Sequence, residues 1–323
     1  MLPNFTYVRP SSLDEAVRLA GAPGARLHAG GTDLLGCLRD GVLAADTVVS
    51  LQGVQELRGI AATADGGVRI GALATLTEVA ASPLIRDAYR ALAEGAAAAA
   101  SPQLRNQGTL GGNLCQRPRC WYFRGDFHCA RKGGDTCFAA AGENQYHCIF
   151  GGETCFIVHP SDTAPALVAL AAQARIAGPS GRRAVPLESF FVPPAKDFTR
   201  ETVLEPGEIL TEVVLPPPAA APRSVYRKVR ARGAWDFALA GVAVALSLRN
   251  GTVAAARVVL AGVAPVPWRS AAAERALVGQ KLSVATAARA ATAAAAGAEP
   301  LSENGYKVAL VRGIVEEAVL SLA

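Results

Sequence analysis

The first fifty residues alternate short apolar runs with amphipathic stretches in a regular order. Residues 5–8 (FTYV) alternate like a strand, and 11–21 (SSLDEAVRLAG) has helical periodicity between a Ser12/Glu15 capping-box spacing and a stop at Gly21. The segments that follow are ARLHAGG, TDLLGCLRDG and DTVVSL, which predict a strand, a helix and another strand. This β-α-β-α-β order favours a small parallel sheet.

The pattern changes between residues 58 and 217. GVRIGALATLTEV (67–79) predicts a strand, a turn and a helix, and residues 88–107 predict one helix that ends before GTLGGNL. APALVALAAQARIAG (164–178) predicts a helix and a strand. LEPGEILTEVVLPPP (204–218) predicts a turn and a strand that stops at the prolines.

From residue 223 onward the apolar pattern predicts strands in hairpin order, with RNGT (249–252) at a tight turn. Ala-rich helices follow to the end of the sequence. We therefore expect an α+β protein divided into residues 1–57, 58–217 and 218–323.

Composition narrows the class of protein. The chain has 323 residues, of which 51% are hydrophobic, so it can fill real cores. The net charge of +5 is spread without a Lys/Arg run, which argues against nucleic acid as a partner. No signal peptide is recognisable, and the Ala-rich tract 285–299 is too weakly apolar for a bilayer span. We expect a cytoplasmic protein without a membrane span, or a periplasmic one exported with a signal-bearing partner.

Two glycine segments are candidates for binding phosphate. AGGTDLL (29–35) lies between a predicted strand and a predicted helix, where backbone N–H groups can hold an anion. GTLGGNL (108–114) is a second such loop. Either one alone is more often a tight turn that binds nothing, and neither is a GxGxxG fingerprint. Together they fit a dinucleotide that is clamped from two sides.

The seven cysteines point to a metal. Five of them fall between Cys115 and Cys148, in a segment rich in Arg, Gly and aromatic residues. Zinc sites favour paired, closely spaced cysteines, whereas wide spacing with glycines suits a loop wrapped around a [4Fe–4S] cluster. Zinc, or buried free cysteines (a credible reading for Cys37), remain open as alternatives.

Six motifs, in order along nearly the whole chain, resemble the flavin-binding medium subunit of the molybdenum hydroxylases. That family includes xanthine dehydrogenase, carbon monoxide dehydrogenase, bacterial aldehyde oxidoreductase and 4-hydroxybenzoyl-CoA reductase. The motifs are FTYVRPSSLDEAV, AGGTDLL, LRNQGTLGGNL, HPSDTAPAL, LEPGEILTEVVLP and YRKVRARGAWDFALAGVAVAL. The resemblance implies a FAD-binding fold of the vanillyl-alcohol-oxidase type over residues 1–57 and 58–217. An α+β domain of the carbon monoxide dehydrogenase flavoprotein type would follow.

The same resemblance implies where FAD would bind. Its pyrophosphate would lie on residues 29–34 and 109–113, with Asp162 and Lys228 near the ribityl or isoalloxazine end. The alternatives are a helix N-cap for Asp162 and a solvated strand position for Lys228. The implied cofactor residues are Leu27, His28, Ala29, Gly30, Gly31, Thr32, Asp33, Leu34, Gly108, Thr109, Gly111, Gly112, Asn113, Asp162 and Lys228.

The aldehyde oxidoreductase and hydroxybenzoyl-CoA reductase branches carry a [4Fe–4S] cluster in an insert after the second glycine loop. Here the insert spans about residues 115–156, and the resemblance assigns four ligands in it: Cys120, Cys129, Cys137 and Cys155. Cys148 departs from the pattern and leaves open whether it replaces Cys155. Cys115 resembles an apolar loop position.

The implied function is electron transfer within a larger oxidoreductase. A partner subunit would hold the molybdenum cofactor, and a small subunit would hold [2Fe–2S] centres. Electrons would leave through FAD to NAD, a quinone, ferredoxin or oxygen. We assign no catalytic residue. A stand-alone flavin oxidase is one alternative, although no His follows residue 218. A non-catalytic zinc-binding module is the other.

Overall fold

The structure is a computed structural model, and it describes residues 1–218 and 222–323. The strands are β1 Thr6–Val8, β2 Ala25–His28, β3 Thr47–Ser50, β4 Ile60–Ala62, β5 Val68–Gly71, β6 Gln173–Gly178, β7 Gly181–Pro186, β8 Ile209–Leu215, β9 Pro222–Val229, β10 Ala240–Arg249, β11 Thr252–Ala261 and β12 Trp268–Arg269. The α-helices are α1 Leu13–Ala20, α2 Leu34–Arg39, α3 Leu76–Ala81, α4 Pro83–Arg86, α5 Arg90–Ala98, α6 Pro102–Arg105, α7 Leu110–Leu114, α8 Trp121–Arg124, α9 Thr163–Ala169, α10 Ala271–Leu277, α11 Val284–Ala295 and α12 Tyr306–Leu320.

The N-terminal elements form the predicted parallel sheet. Strands β1, β3 and β2 lie in that order, and both pairings are parallel. Helix α1 begins after Ser12, whose side chain accepts a hydrogen bond from the backbone N–H of Glu15. It ends at Gly21, as the sequence predicts. The β-α-β-α-β unit is therefore confirmed.

A five-stranded antiparallel sheet in the order β4-β5-β8-β6-β7 forms the middle of the molecule. Strands β5, β6 and β8 were predicted, whereas β4 and β7 were not. The single helix predicted over residues 88–107 is wrong, because the chain breaks between α5 and α6. Ala100 at this break has a φ of 47°, outside the helical region.

The C-terminal sheet has the order β12-β11-β10-β9 and is antiparallel throughout. The predicted tight turn joins β10 to β11, where Asn250 and Gly251 have φ values of 53° and 73°. Two successive residues in the left-handed region match the twist of a hairpin. Helices α10, α11 and α12 pack on one face of this sheet.

Two large cores hold these layers together. One joins the five-stranded sheet with α3, α5 and α9, and it also takes in Tyr226 and Ala243 from the C-terminal sheet. The other lies between the C-terminal sheet and α10–α12, and it takes in Ile149 and Phe150 from the cysteine-rich insert. The α+β class is confirmed. The division at 57/58 and 217/218 stays a prediction, and residues 219–221 lie outside the described residues.

Within residues 1–218 and 222–323, every helix is too short or too polar to cross a bilayer.

Candidate functional site

The first glycine turn leads from β2 into α2. Gly31 has a φ of 73°, which favours glycine, and a Cβ on Gly30 would overlap the carbonyl oxygen of Gln107. The turn is therefore pressed against the segment that leads into the second glycine motif. Of its neighbours, His28 is half-buried, and burial lowers the pKa of its imidazole.

The second glycine motif is a short helix, and its interpretation as a loop is wrong. Thr109 precedes α7, and its hydroxyl accepts a hydrogen bond of 3.1 Å from the N–H of Gly112. A threonine cap of this kind is the local signal for a helix start. Gly111 packs closely on Ala72, where a Cβ would lie 2.8 Å from the alanine Cβ.

The two motifs line the same space. A cavity of about 470 Å³ lies between them, and an adjoining one of about 440 Å³ shares Thr32, Asp33, Thr109 and Gly112. The predicted residues on the first cavity are Leu27, Ala29, Gly30, Gly31, Thr32, Asp33, Leu34, Thr109, Gly111 and Gly112. The second adds Gly108, Asn113 and Asp162. Two predicted cofactor residues, His28 and Lys228, are not among the described residues that line these two cavities.

Asp162 and Lys228 form a buried ion pair. The Lys228 Nζ lies 2.8 Å from Asp162 Oδ2, and the two side chains are 4% and 7% exposed. The Tyr226 hydroxyl donates a 2.7 Å hydrogen bond to Asp162 Oδ1. Burial raises the pKa of Asp162, while Lys228 opposes that shift. The solvated position considered for Lys228 is therefore wrong.

Asp162 stands at the N-cap of α9, but its side chain makes no capping hydrogen bond. Ser161 caps this helix instead, since its Oγ accepts a 2.9 Å hydrogen bond from the N–H of Ala164. Ser161 and Thr163 also donate 2.6 Å hydrogen bonds to Asn113 Oδ1. These contacts tie the second glycine motif to the Ser-Asp segment.

The cysteine insert runs without long elements of secondary structure. Cys129, Cys148 and Cys155 are buried, whereas Cys120 and Cys137 are half-buried. The pKa of the Cys120 thiol is raised to about 12, chiefly by burial and with smaller contributions from Cys155 and Cys137. In the described part of the chain, no three His, Cys, Asp or Glu side chains are close enough to hold a metal ion.

Two cysteines outside the predicted ligand set have other surroundings. Burial raises the pKa of Cys115 to about 12, and this residue lines the larger cavity. Cys37 is fully buried in α2, with its Sγ 2.8 Å from the Arg124 Nη1. Cys37 is therefore a buried free thiol, whereas the interpretation of Cys115 as a non-ligand stays a prediction.

The arginines of the insert are residues that the sequence interpretation missed. Arg117 and Arg131 both pair with the buried Glu201, and Arg117 Nε lies 3.0 Å from its Oε2. Arg119 and Arg124 pair with Asp33 of the first glycine turn. The sequence signal that could have revealed them is the high number of arginines in this segment, four within residues 117–131. Arginines in a partly buried segment need carboxylate partners from other parts of the chain.

Comparison with known proteins identifies the family. Residues 3–218 match the model of the FAD binding domain in molybdopterin dehydrogenase, and 224–322 match the CO dehydrogenase flavoprotein C-terminal domain. The chain belongs to this family of FAD-binding domains. Its α+β fold, a FAD-binding domain followed by a C-terminal domain, is confirmed by these matches.

Relatives with known roles are similar over almost their whole length. The aldehyde oxidoreductase FAD-binding subunit PaoB of Escherichia coli (strain K12) is 38% identical over 95% of both chains. The carbon monoxide dehydrogenase medium chain of Hydrogenophaga pseudoflava is 30% identical, over 98% of this chain and 96% of that one.

Solved structures agree with these relationships. Carbon monoxide dehydrogenase from Hydrogenophaga pseudoflava superposes with a TM-score of 0.80 at 30% identity, covering 100% of this chain and 98% of that one. Quinoline 2-oxidoreductase from Pseudomonas putida 86 gives 0.78 at 28% identity, with coverages of 100% and 98%. The similar proteins are therefore oxidoreductase subunits.

Proposed function

We propose that this protein is the FAD- and [4Fe–4S]-carrying electron-transfer subunit of a heterotrimeric molybdenum hydroxylase. The observation that carries the proposal is that the two glycine motifs meet across one cavity large enough for a cofactor segment. The family match over residues 3–218 supports FAD as the occupant.

The residues present fit a nucleotide diphosphate. The glycines at 30, 31, 111 and 112 line the cavity, and a Cβ at 30, 31 or 111 would collide with neighbouring residues, so glycine lets the two motifs pack closely around it. Among the described residues, four arginines of the adjacent insert form ion pairs with two carboxylates, Asp33 and Glu201, so the insert brings more positive than negative charge to these pairs. Such an excess favours an anionic ligand.

Bound FAD would supply the redox chemistry, and the chain would supply its position and electrostatics. Lys228 would act as a fixed positive charge toward the flavin end of the site, with its own position held by Asp162. Replacing Lys228 by Ala is expected to lower FAD retention or to raise the rate of flavin oxidation. Unchanged occupancy and potential would contradict this role.

The proposed cluster ligands are Cys120, Cys129, Cys137 and Cys155. Thiolates are the usual ligands of such clusters, and the four thiols lie within residues 120–155. In the described residues they are not close enough together to hold a metal ion, so the proposed cluster requires these side chains to move together. The thiols of Cys120 and Cys155 have raised pKa values, so cluster binding would release protons. Cys137 contributes to the raised pKa values of both Cys120 and Cys155.

An iron count tests the ligand set. Single Cys→Ser variants at the four positions are expected to lose the cluster spectrum, while Cys115→Ser is the matched control that keeps it. The Cys148→Ser variant tests whether Cys148 or Cys155 is the fourth ligand. Loss of iron in Cys148→Ser together with retention in Cys155→Ser would move the fourth ligand to Cys148.

The proposed partners are a large subunit with the molybdenum cofactor and a small subunit with [2Fe–2S] centres. An aldehyde is the favoured substrate class of the complex, because PaoB is named as an aldehyde oxidoreductase subunit. The final acceptor would be NAD, a quinone, ferredoxin or oxygen, and the compartment the cytoplasm.

Purification with the products of neighbouring genes tests the whole proposal. The expected result is a brown-yellow complex that releases FAD on denaturation and contains molybdenum and iron. A colourless preparation would contradict the proposed function. Zinc without flavin would favour the zinc-binding module, and a yellow single chain that oxidises a substrate alone would favour the flavin oxidase.

A further inference from the structure

The carboxylate of Asp33 joins the first glycine turn to the cysteine insert. Its Oδ2 accepts a 2.7 Å hydrogen bond from the backbone N–H of Arg117. Its Oδ1 accepts a 2.8 Å bond from Arg124 Nη2 and lies 3.0 Å from Arg119 Nη1. Both oxygens are thus engaged by a segment more than eighty residues away in sequence. We call Asp33, Arg117, Arg119 and Arg124 the Asp33–arginine cluster.

Arg124 organises the other half of this cluster. It donates hydrogen bonds of 2.7 Å to the carbonyl of Pro118 and 3.1 Å to that of Arg117, which fixes the entry into the insert. Its Nη1 also lies 2.8 Å from Cys37 Sγ on α2. A planar guanidinium can make all these contacts at once, whereas an amide or ammonium cannot.

The Asp33–arginine cluster is only partly exposed to solvent, so each charged side chain in it needs a partner of opposite charge. The side chains of Asp33 and Arg124 are 18% and 17% exposed. Arg117 has Glu201 as a further carboxylate partner, but Arg119 and Arg124 pair with Asp33. Without Asp33, these two guanidinium groups would lose their carboxylate, and the turn would lose its tie to the insert.

We propose that the cysteine insert holds the 29–34 turn in its cofactor-binding shape, with Asp33 acting as a positioning residue through Arg124. The inference rests on the proposed function, in which this turn binds the FAD diphosphate. Asp33 then serves FAD without touching it, because its side chain is already engaged by arginines. FAD affinity becomes a property of the insert as well as of the turn.

A double-mutant cycle on FAD affinity tests the proposal with the full-length chain. Asp33→Asn and Arg124→Gln are each expected to raise the FAD dissociation constant about tenfold or more, equal to about 1.4 kcal/mol. The double variant is expected to be no weaker than the weaker single one, since both remove the same contact. Arg124→Lys should recover part of the affinity, because it keeps the charge but not the fork.

The control is Asp40→Asn, which breaks the exposed Arg39–Asp40 pair at the other end of α2. It should leave FAD affinity and the visible circular dichroism of bound flavin unchanged, whereas the cluster variants should alter that signal. Arg119→Gln removes one contact of the cluster and replaces Arg124→Gln in the experiment if that variant fails to fold. A smaller loss of affinity is expected for it.

The possible results distinguish a failure of the inference about Asp33 from a failure of the proposed function. If Asp33→Asn weakens FAD binding while Arg124→Gln and Arg119→Gln do not, or if the losses add fully, Asp33 contacts FAD directly and the inference is overturned. If the wild-type chain binds no FAD, the proposed function fails instead.

Discussion

Lys307 is a fully buried amine, and its replacement should change how stability depends on pH. Its Nζ donates hydrogen bonds of 2.9 Å to the carbonyl of Tyr146 and 2.8 Å to that of Gly262. Burial lowers the pKa of Lys307 to about 7, and the Cys148 thiol opposes that shift.

The size and sign of the effect follow from proton linkage. In the unfolded chain Lys307 binds a proton up to its ordinary pKa of 10.5, whereas in the folded chain it releases that proton near pH 7. Between these values the unfolded state holds more protons, so the free energy of unfolding rises with pH. The slope is about 1.4 kcal/mol per pH unit, which gives about 5 kcal/mol over the window.

Urea denaturation of the full-length chain measures this contribution. Lys307→Met removes the titrating group, and the difference in unfolding free energy between variant and wild type should change by about 3 kcal/mol from about pH 7.5 to about pH 9.5. Other titrating groups cancel in that difference. The control is Lys281→Met at an exposed position, for which the difference should not depend on pH. Parallel pH profiles for wild type and Lys307→Met would refute the reasoning.

Three further predictions concern the site and its supports. Gly30→Ala should lower FAD occupancy, because the new Cβ would overlap a carbonyl oxygen. Its control is Gly36→Ala in α2, which has free space for a Cβ and should stabilise the protein by about 0.5–1 kcal/mol. Equal FAD occupancy in the two variants would contradict the prediction. Lys228→Met should destabilise by about 3–5 kcal/mol because it leaves a buried carboxylate unpaired, and adding Asp162→Asn should restore much of the loss in urea denaturation. Leu167→Ala in the fully buried face of α9 should lower the free energy of unfolding by about 2–5 kcal/mol; a loss below that range would mean that the site collapses around the missing side chain.

Local signals in the sequence were sufficient for much of the fold. The Ser12 cap and the alternation of residues 5–8 are local signals of the parallel unit, because each acts within a few residues. The Asn250-Gly251 turn specifies the C-terminal hairpin in the same way. Where a local signal was overlooked, the prediction failed: Thr109 caps α7, so the second glycine motif is helical.

The parts of the site that sequence reasoning missed are contacts between distant segments. Asp33 meets Arg124 across 91 positions, and Lys228 meets Asp162 across 66. Nothing near Lys228 in sequence reveals its burial, since a lysine on a strand is usually solvated. The resemblance to a family brought Asp162 and Lys228 together, but it gave no partner for the arginines of the insert.

The cysteine insert is bound to every other part of the molecule. It reaches the N-terminal unit through Asp33 and the middle unit through Glu201, where Arg131 is buried. Its end joins the C-terminal core, where Ile149 is buried and the Asn304 side chain donates hydrogen bonds to the carbonyls of residues 147 and 148. A segment with contacts on three sides cannot rearrange without disturbing all three. Because Asp33 belongs to the same turn as Gly30 and Gly31, we expect a change in the insert that breaks the Asp33 contacts to reach the cavity between the two glycine motifs.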